Sequence, residues 1–171
     1  LLYEANKSRL RSIAIYNNFG SLIAAEPVVS QKEDPNVTKQ DWFIHAMDEM
    51  ENIHFSIPHI QNLFDDGTFR YYWVISSSRV VELTNGVNSQ KGVLLVDMDY
   101  SEISRMTDQI NTLENGQYFY LCDSNGKIIY HPRQMQISDG KLSESSEAAA
   151  KSQKMIYDEY FEGKHRKVIV S

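Results

Sequence analysis

One small unit is written twice in this chain. The first copy is Ile13-Ala14-Ile15-Tyr16-Asn17-Asn18-Phe19-Gly20-Ser21-Leu22-Ile23, closed by Pro27. The second is Phe119-Tyr120-Leu121-Cys122-Asp123-Ser124-Asn125-Gly126-Lys127-Ile128-Ile129, closed by Pro132. Each is an apolar run, an Asn/Asp/Ser turn ending in Gly, and a second apolar run stopped by proline. Asn, Asp and Gly accept the positive φ of tight turns, so each copy predicts a β-hairpin. Two matching hairpins a small domain apart point to two related sheet modules in series. Sensing and binding proteins are built this way more often than catalysts.

The bulk numbers narrow the class. The 171 residues allow one ordinary domain or two small ones, and 42% apolar residues are enough for a packed core. Net charge is -6, with a pI near 5.3, which argues against nucleic acid as a partner because phosphate binding needs clustered Lys and Arg. The ten Tyr and seven Phe suit half-buried sheets and small-molecule pockets. Cys122 is the single cysteine, so no internal disulfide forms, and mid-strand it reads as an inert small hydrophobe. No apolar run approaches the roughly 20 residues of a membrane span. The chain opens on Leu1-Leu2-Tyr3 without Met and stops within an apolar run, and it reads as an excised fragment.

Periodicity and turn residues give an element order. Residues 1–9 read as the end of a helix, 11–27 as the first hairpin and 30–36 as a loop. A helix is predicted over 39–50, capped by Thr38 or Asp41, with Trp42, Phe43, Ala46, Met47 and Met50 at helical spacing. Pro58 interrupts a short strand over 55–60 and places it at a sheet edge. A turn at Asp65-Asp66-Gly67 leads to a long strand over 69–79, extending to Leu83. A polar loop over 84–91 and an apolar, central strand over 92–97 follow. Residues 100–113 read as a helix with Ile103, Met106 and Ile110 on one face. The second hairpin covers 118–132, a helix is expected over 143–151, and strands over 155–161 and 166–171 flank Glu162-Gly163-Lys164. Five antiparallel strands with a helical crossover between the second and third describe a PAS-like sheet, so the fold class is α+β.

Four segments in this order carry a family resemblance: Asn18-Phe19-Gly20-Ser21-Leu22-Ile23; Asp41-Trp42-Phe43-Ile44-His45-Ala46; Gly92-Val93-Leu94-Leu95-Val96-Asp97-Met98-Asp99; and Asp123-Ser124-Asn125-Gly126-Lys127-Ile128-Ile129-Tyr130-His131-Pro132. The chain resembles double Cache domains, extracytoplasmic sensor modules of bacterial receptors, over about residues 10–171. The resemblance implies a membrane-distal PAS-like module over 1–112 with a clipped first helix. It also implies an incomplete membrane-proximal PAS-like module over 113–171. The Trp-Phe pair and the Tyr-His-Pro ending are most similar to sensor histidine kinases; chemoreceptors and cyclases carry the same module. The implied parent is membrane-anchored at the extracellular face of a bacterial cell and dimeric through its long helices.

An amino-acid-binding subset of that family carries Arg-x-Trp-Tyr at a helix start, then Tyr-x-Asp, then an Asp ending a strand. This chain keeps Trp42 and Asp97. Gln40 stands at the Arg, Phe43 at the Tyr, and His59-Ile60-Gln61 at the Tyr-x-Asp place. Without that Arg the carboxylate clamp is missing, so no free amino acid is expected as ligand. Candidate ligand residues are Trp42, His59, Arg70, Tyr72, Ser76 and Asp97.

Each candidate has a plainer role beside the functional one. Trp42 suits a core anchor as well as a pocket wall. Asp97 is a ligand acceptor, a cap for the following helix, or a solvated strand end. Strand alternation sends Arg70, Tyr72, Val74 and Ser76 to a mixed face suited to a small polar ligand. Phe69, Tyr71, Trp73 and Ile75 go to the other. Arg79 could meet an anionic ligand or an exposed ion pair.

His45, His54 and His59 match no metal-ligand spacing, so neither metal nor cofactor is expected. No Ser-His-Asp order, phosphate loop or nucleophile elbow is present, and the chain is not expected to be an enzyme. The sequence and the resemblance together lead to the small-molecule-sensing extracellular domain of a bacterial transmembrane two-component sensor histidine kinase. The alternatives are a chemoreceptor or cyclase ectodomain of the same fold, or a protein-docking module whose cavity is filled by its own side chains.

Overall fold

The computed structural model describes residues 2–33, 35–65, 67, 70–109, 117–123, 126–142 and 156–170. The chain divides into two compact units, Leu1–Thr107 and Asp108–Ser171.

Unit 1 is built on one antiparallel sheet. A short helix, α1 (Leu2–Asn6), leads into β1 (Leu10–Asn17) and β2 (Leu22–Glu26). A two-residue strand, β3 (Ser30–Gln31), is followed by a 3-10 turn over Val37–Lys39 and by α2 (Asp41–Asp48). Three more two-residue strands follow: β4 (His54–Phe55), β5 (His59–Ile60) and β6 (Phe64–Asp65). Two long strands, β7 (Trp73–Asn85) and β8 (Asn88–Asp99), precede α3 (Tyr100–Asp108). The strand order is β2-β1-β8-β7-β4, with β5 also on β7. β8 is therefore central, as its apolar run predicts, and β4 and β5 share one edge with Pro58 between them. The sheet thus counts six strands in five positions, and its order and antiparallel pairing are PAS-like.

The first hairpin turns on Asn17. Its Oδ1 accepts from Phe19 N and Ser21 N, each at 2.9 Å, and Gly20 holds φ +79°. Asn17 N donates to Ser21 O at 2.9 Å and Gly20 N to Asn17 O at 3.0 Å. The polar loop expected over 84–91 is mostly strand instead. β7 and β8 pair from Val74↔Asp99 to Asn85↔Asn88 and need only Gly86-Val87 to turn, with Gly86 at φ +64°. Polarity at the tip of a long hairpin marks solvent, and the backbone ladder continues regardless.

Alternation sorts the sheet faces. Ser12, Ala14 and Tyr16 of β1, Val74, Ser76 and Ser78 of β7, and Val93, Leu95 and Asp97 of β8 all point to one buried face. Trp42, Phe43 and Ala46 of α2 pack on it together with Val37, Leu63 and Phe64. α2 is shorter than predicted, and its N-cap is Gln40, which makes no side-chain cap. Neither Thr38 nor Asp41 caps it; Asp41 is the first helical residue, where a negative charge suits the helix dipole. A hydrogen bond from Ser78 Oγ to Trp42 O (2.8 Å) ties the helix to β7.

Unit 2 contains β9 (Leu121–Cys122) and β10 (Ile128–Tyr130), the helix α4 (Gln134–Ser138), and β11 (Ile156–Phe161) paired with β12 (Lys164–Ile169). The turn between β9 and β10 repeats the bonding of the first hairpin. Asp123 N donates to Lys127 O (2.9 Å), Gly126 N to Asp123 O (3.0 Å) and Lys127 N to Asp123 Oδ1 (2.8 Å), with Gly126 at φ +83°. β11 and β12 turn through Glu162 and Gly163, at φ +48° and +79°. Arg166 binds Glu159 and Tyr118 and lies 3.9 Å over the Phe161 ring. Tyr130 and His131 are fully buried. The helix α4 has no counterpart in the sequence reading, and the helix expected over 143–151 and Ile110 lie outside the described residues. Among the described residues no helix is long and apolar enough to cross a membrane.

Candidate ligand site

Asp97 is the chemical centre of the inner face. Its register neighbours are Ser12 on β1 and Ser76 on β7. Both hydroxyls donate to it: Ser76 Oγ to Oδ1 at 2.5 Å and Ser12 Oγ to Oδ2 at 2.8 Å. The side chain is only 2% exposed. Burial pushes the Asp97 carboxyl above its ordinary value; the two serine bonds and nearby His59 oppose this without cancelling it. Burial, and then the Asp97 charge, push the Tyr16 phenol up as well, against a bond from Gln31.

His59 reaches this group from β5. Its Nε2 lies 3.4 Å from Ser76 Oγ, and its Nδ1 lies 3.0 Å from Ile57 O and 3.2 Å from Ser56 Oγ. Ser56 Oγ in turn accepts from Ser76 N at 2.9 Å. The structure therefore brings His59, Ser76 and Asp97 together.

Asp97 is neither a helix cap nor a solvated strand end. β8 runs on to Asp99, and Asp99 does the capping: its Oδ1 accepts from Ser101 N (2.9 Å) and Ser101 Oγ (2.7 Å). Asp99 also pairs with Arg11, whose guanidinium lies 4.2 Å over the Tyr72 ring. Asp97 and Asp99 share a face because the strand outlasts its apolar run.

Next to this network is a cavity of about 390 Å³, within the range of small-molecule sites. Ser12 lies on its lining, which links the cavity to Asp97 behind it. Arg70 and Tyr72 line it too, though not from the predicted strand. β7 begins at Trp73 rather than at residue 69, so both side chains approach from the segment before it, which Gln61 N holds through Tyr72 O at 2.8 Å. Trp42 is elsewhere, 8% exposed in the core, with its ring 5.5 Å from that of Tyr16. Arg79 is exposed on the sheet face opposite Ser76 and Ser78. The sequence reading missed Tyr3, Lys7, Arg11, Ser12 and Lys32, all of which line the cavity. The early Arg11-Ser12 pair at the start of a predicted strand was the one available signal.

No curated protein matches this chain. Among solved structures, the ligand-binding domain of the Pseudomonas aeruginosa PAO1 amino acid chemoreceptor PctB, in complex with L-Arg, superposes with a TM-score of 0.65. The two are 18% identical over 95% of this chain and 60% of that one. The ligand-binding domain of the Pseudomonas fluorescens chemoreceptor CtaA, in complex with L-serine, gives 0.59 at 17% identity, covering 96% and 66%. The extracellular domain assigned to the histidine kinase vpHK1S-Z8 gives 0.52 at 12%, covering 91% and 62%. The chain thus spans less than two thirds of these domains, and likeness at such identities concerns the fold. The family model of the Cache domain (dCache_1) matches residues 2–171. The chain belongs to the Cache domain family, non-catalytic extracytoplasmic sensor domains of membrane receptors.

Proposed function

We propose that this chain is the extracellular ligand-binding part of a bacterial transmembrane two-component sensor histidine kinase. Unit 1, within a distal module over 1–112, takes up a small molecule. Residues 113–171 belong to a proximal module that passes the signal on. One observation carries this reading: Tyr3 of α1 and Lys7 just after it stand on the cavity lining beside Arg70 and Tyr72. A solute that binds one arrangement of these groups more tightly than another biases the position of the N-terminal helix. The parent receptor is a homodimer joined through its helices, anchored at the extracellular face of the membrane.

The candidate residues divide by depth. Arg70 and Tyr72 meet the solute, and Ser76, His59 and Asp97 set the polarity of the floor behind Ser12. Trp42 keeps α2 seated over the sheet. A thermal-shift screen over sugars, peptides, amino acids and organic acids tests the proposal: at least one class raises the melting temperature, and a flat response across all of them contradicts it. The chemoreceptors PctB and CtaA share the fold, so a chemoreceptor output is the second reading. Autophosphorylation of the full-length protein from ATP decides between the two outputs.

A further inference from the structure

We infer that the cavity of unit 1 takes an organic anion carrying two or more negative charges, held by Lys32 and Arg70. The inference rests on the reading of this cavity as the sensor's ligand site, and it names the ligand chemistry. Four cationic side chains line the cavity, those of Lys7, Arg11, Lys32 and Arg70, against the single carboxylate of Asp65. The chain as a whole is acidic, at -6, so the cavity inverts the charge of the molecule around it. A cleft lined by one sign of charge focuses the field and concentrates solutes of the opposite sign.

Two of the four cations are already engaged. Lys7 Nζ lies 3.2 Å from Glu4 Oε2, and Arg11 pairs with Asp99. Lys32 and Arg70 make no ion pair among the described residues.

The cavity offers little to an ammonium group. Both oxygens of Asp97 accept serine hydroxyls, and Asp65 Oδ1 accepts Gly67 N at 2.9 Å. A zwitterion would therefore meet several cations and almost no free carboxylate. Val29, Phe64 and Tyr71 on the same lining favour a carbon skeleton between the charges.

Isothermal titration of the 171-residue chain with succinate, citrate, inorganic phosphate, serine, and neutral dimethyl succinate tests this. Succinate or citrate binds, the affinity falls as salt is raised, and the double variant Lys32→Gln/Arg70→Gln loses about tenfold or more. Both substituted side chains are exposed, so the variant melts at the parental temperature. Phosphate binding as tightly as the carboxylates overturns the organic part of the assignment. Serine or the diester binding while the carboxylates do not overturns the anion assignment and leaves the sensor reading intact. Carboxylate binding unchanged in the double variant overturns the roles of Lys32 and Arg70. Silence in this panel, with a hit among sugars or peptides in the thermal-shift screen, rejects the anion alone; silence in both rejects the sensor reading as well.

Discussion

Asp97 holds two hydroxyl donors and is almost wholly buried, so a charge on it comes at a cost. Above the ordinary carboxyl value of 3.8, the unfolded chain gives up this proton while folded Asp97 retains it. The folded state then binds more protons, and the contribution of this site to stability declines as pH rises above about 3.8 until Asp97 itself ionises. Asp97→Asn removes that decline. The stability of the variant relative to the parent should therefore climb with pH across this window, measured by denaturant unfolding from acid to neutral pH. Parallel profiles for the two proteins would contradict the buried-acid account. Ser76→Ala takes the donor from Oδ1 and should cost about 1–3 kcal/mol, measured by denaturant unfolding.

At the scale of elements, two glycines carry structural demands that differ in kind. Gly20 sits at φ +79°, and a Cβ there would lie 2.8 Å from Thr38 Cγ2. Gly20→Ala should cost about 1–3 kcal/mol through backbone strain, read as a lower denaturation midpoint. Gly92 has ordinary extended backbone but no room: a Cβ would lie 2.5 Å from both Tyr16 O and Leu83 Cδ1. Gly92→Ala should cost about 1–3 kcal/mol or more by forcing β1 away from β8.

The hairpins were readable in the sequence because Asn17 or Asp123, with a glycine three residues later, specify the turn locally. The split edge strand was readable from Pro58 for the same reason. The helix cap and the start of β7 were not. Gln40 is placed at the N-cap by the preceding 3-10 turn, and residues 70–72 have no partner on β8, which ends at Asp99 opposite Val74 and gives way to α3. Alternation knows nothing of either.

At the scale of the whole molecule, the sheet, the core and the cavity all lie within unit 1. Residues 1–107 produced alone should unfold cooperatively and keep the thermal response to solutes shown by the full chain; a non-cooperative melt would show that unit 1 is not self-sufficient. The site was partly readable in the sequence. His59, Ser76 and Asp97 meet because they lie on neighbouring strands of one sheet face, which periodicity can anticipate. Lys7, Arg11 and Lys32 come from three segments, the turn after α1, β1 and the residue after β3, and nothing in the sequence marks them as lining one space. Only the folded chain sets them around one space. Trp42, which suits a core anchor as well as a pocket wall by its helical spacing, lies in the core cluster. Amide chemical-shift mapping of the chain, titrated with whichever solute raises its melting temperature most, tests the central claim most directly. The account predicts that the largest shifts fall at Arg11, Ser12, Gln61, Arg70 and Tyr72; shifts confined to the β11–β12 hairpin, with these amides unmoved, would contradict it.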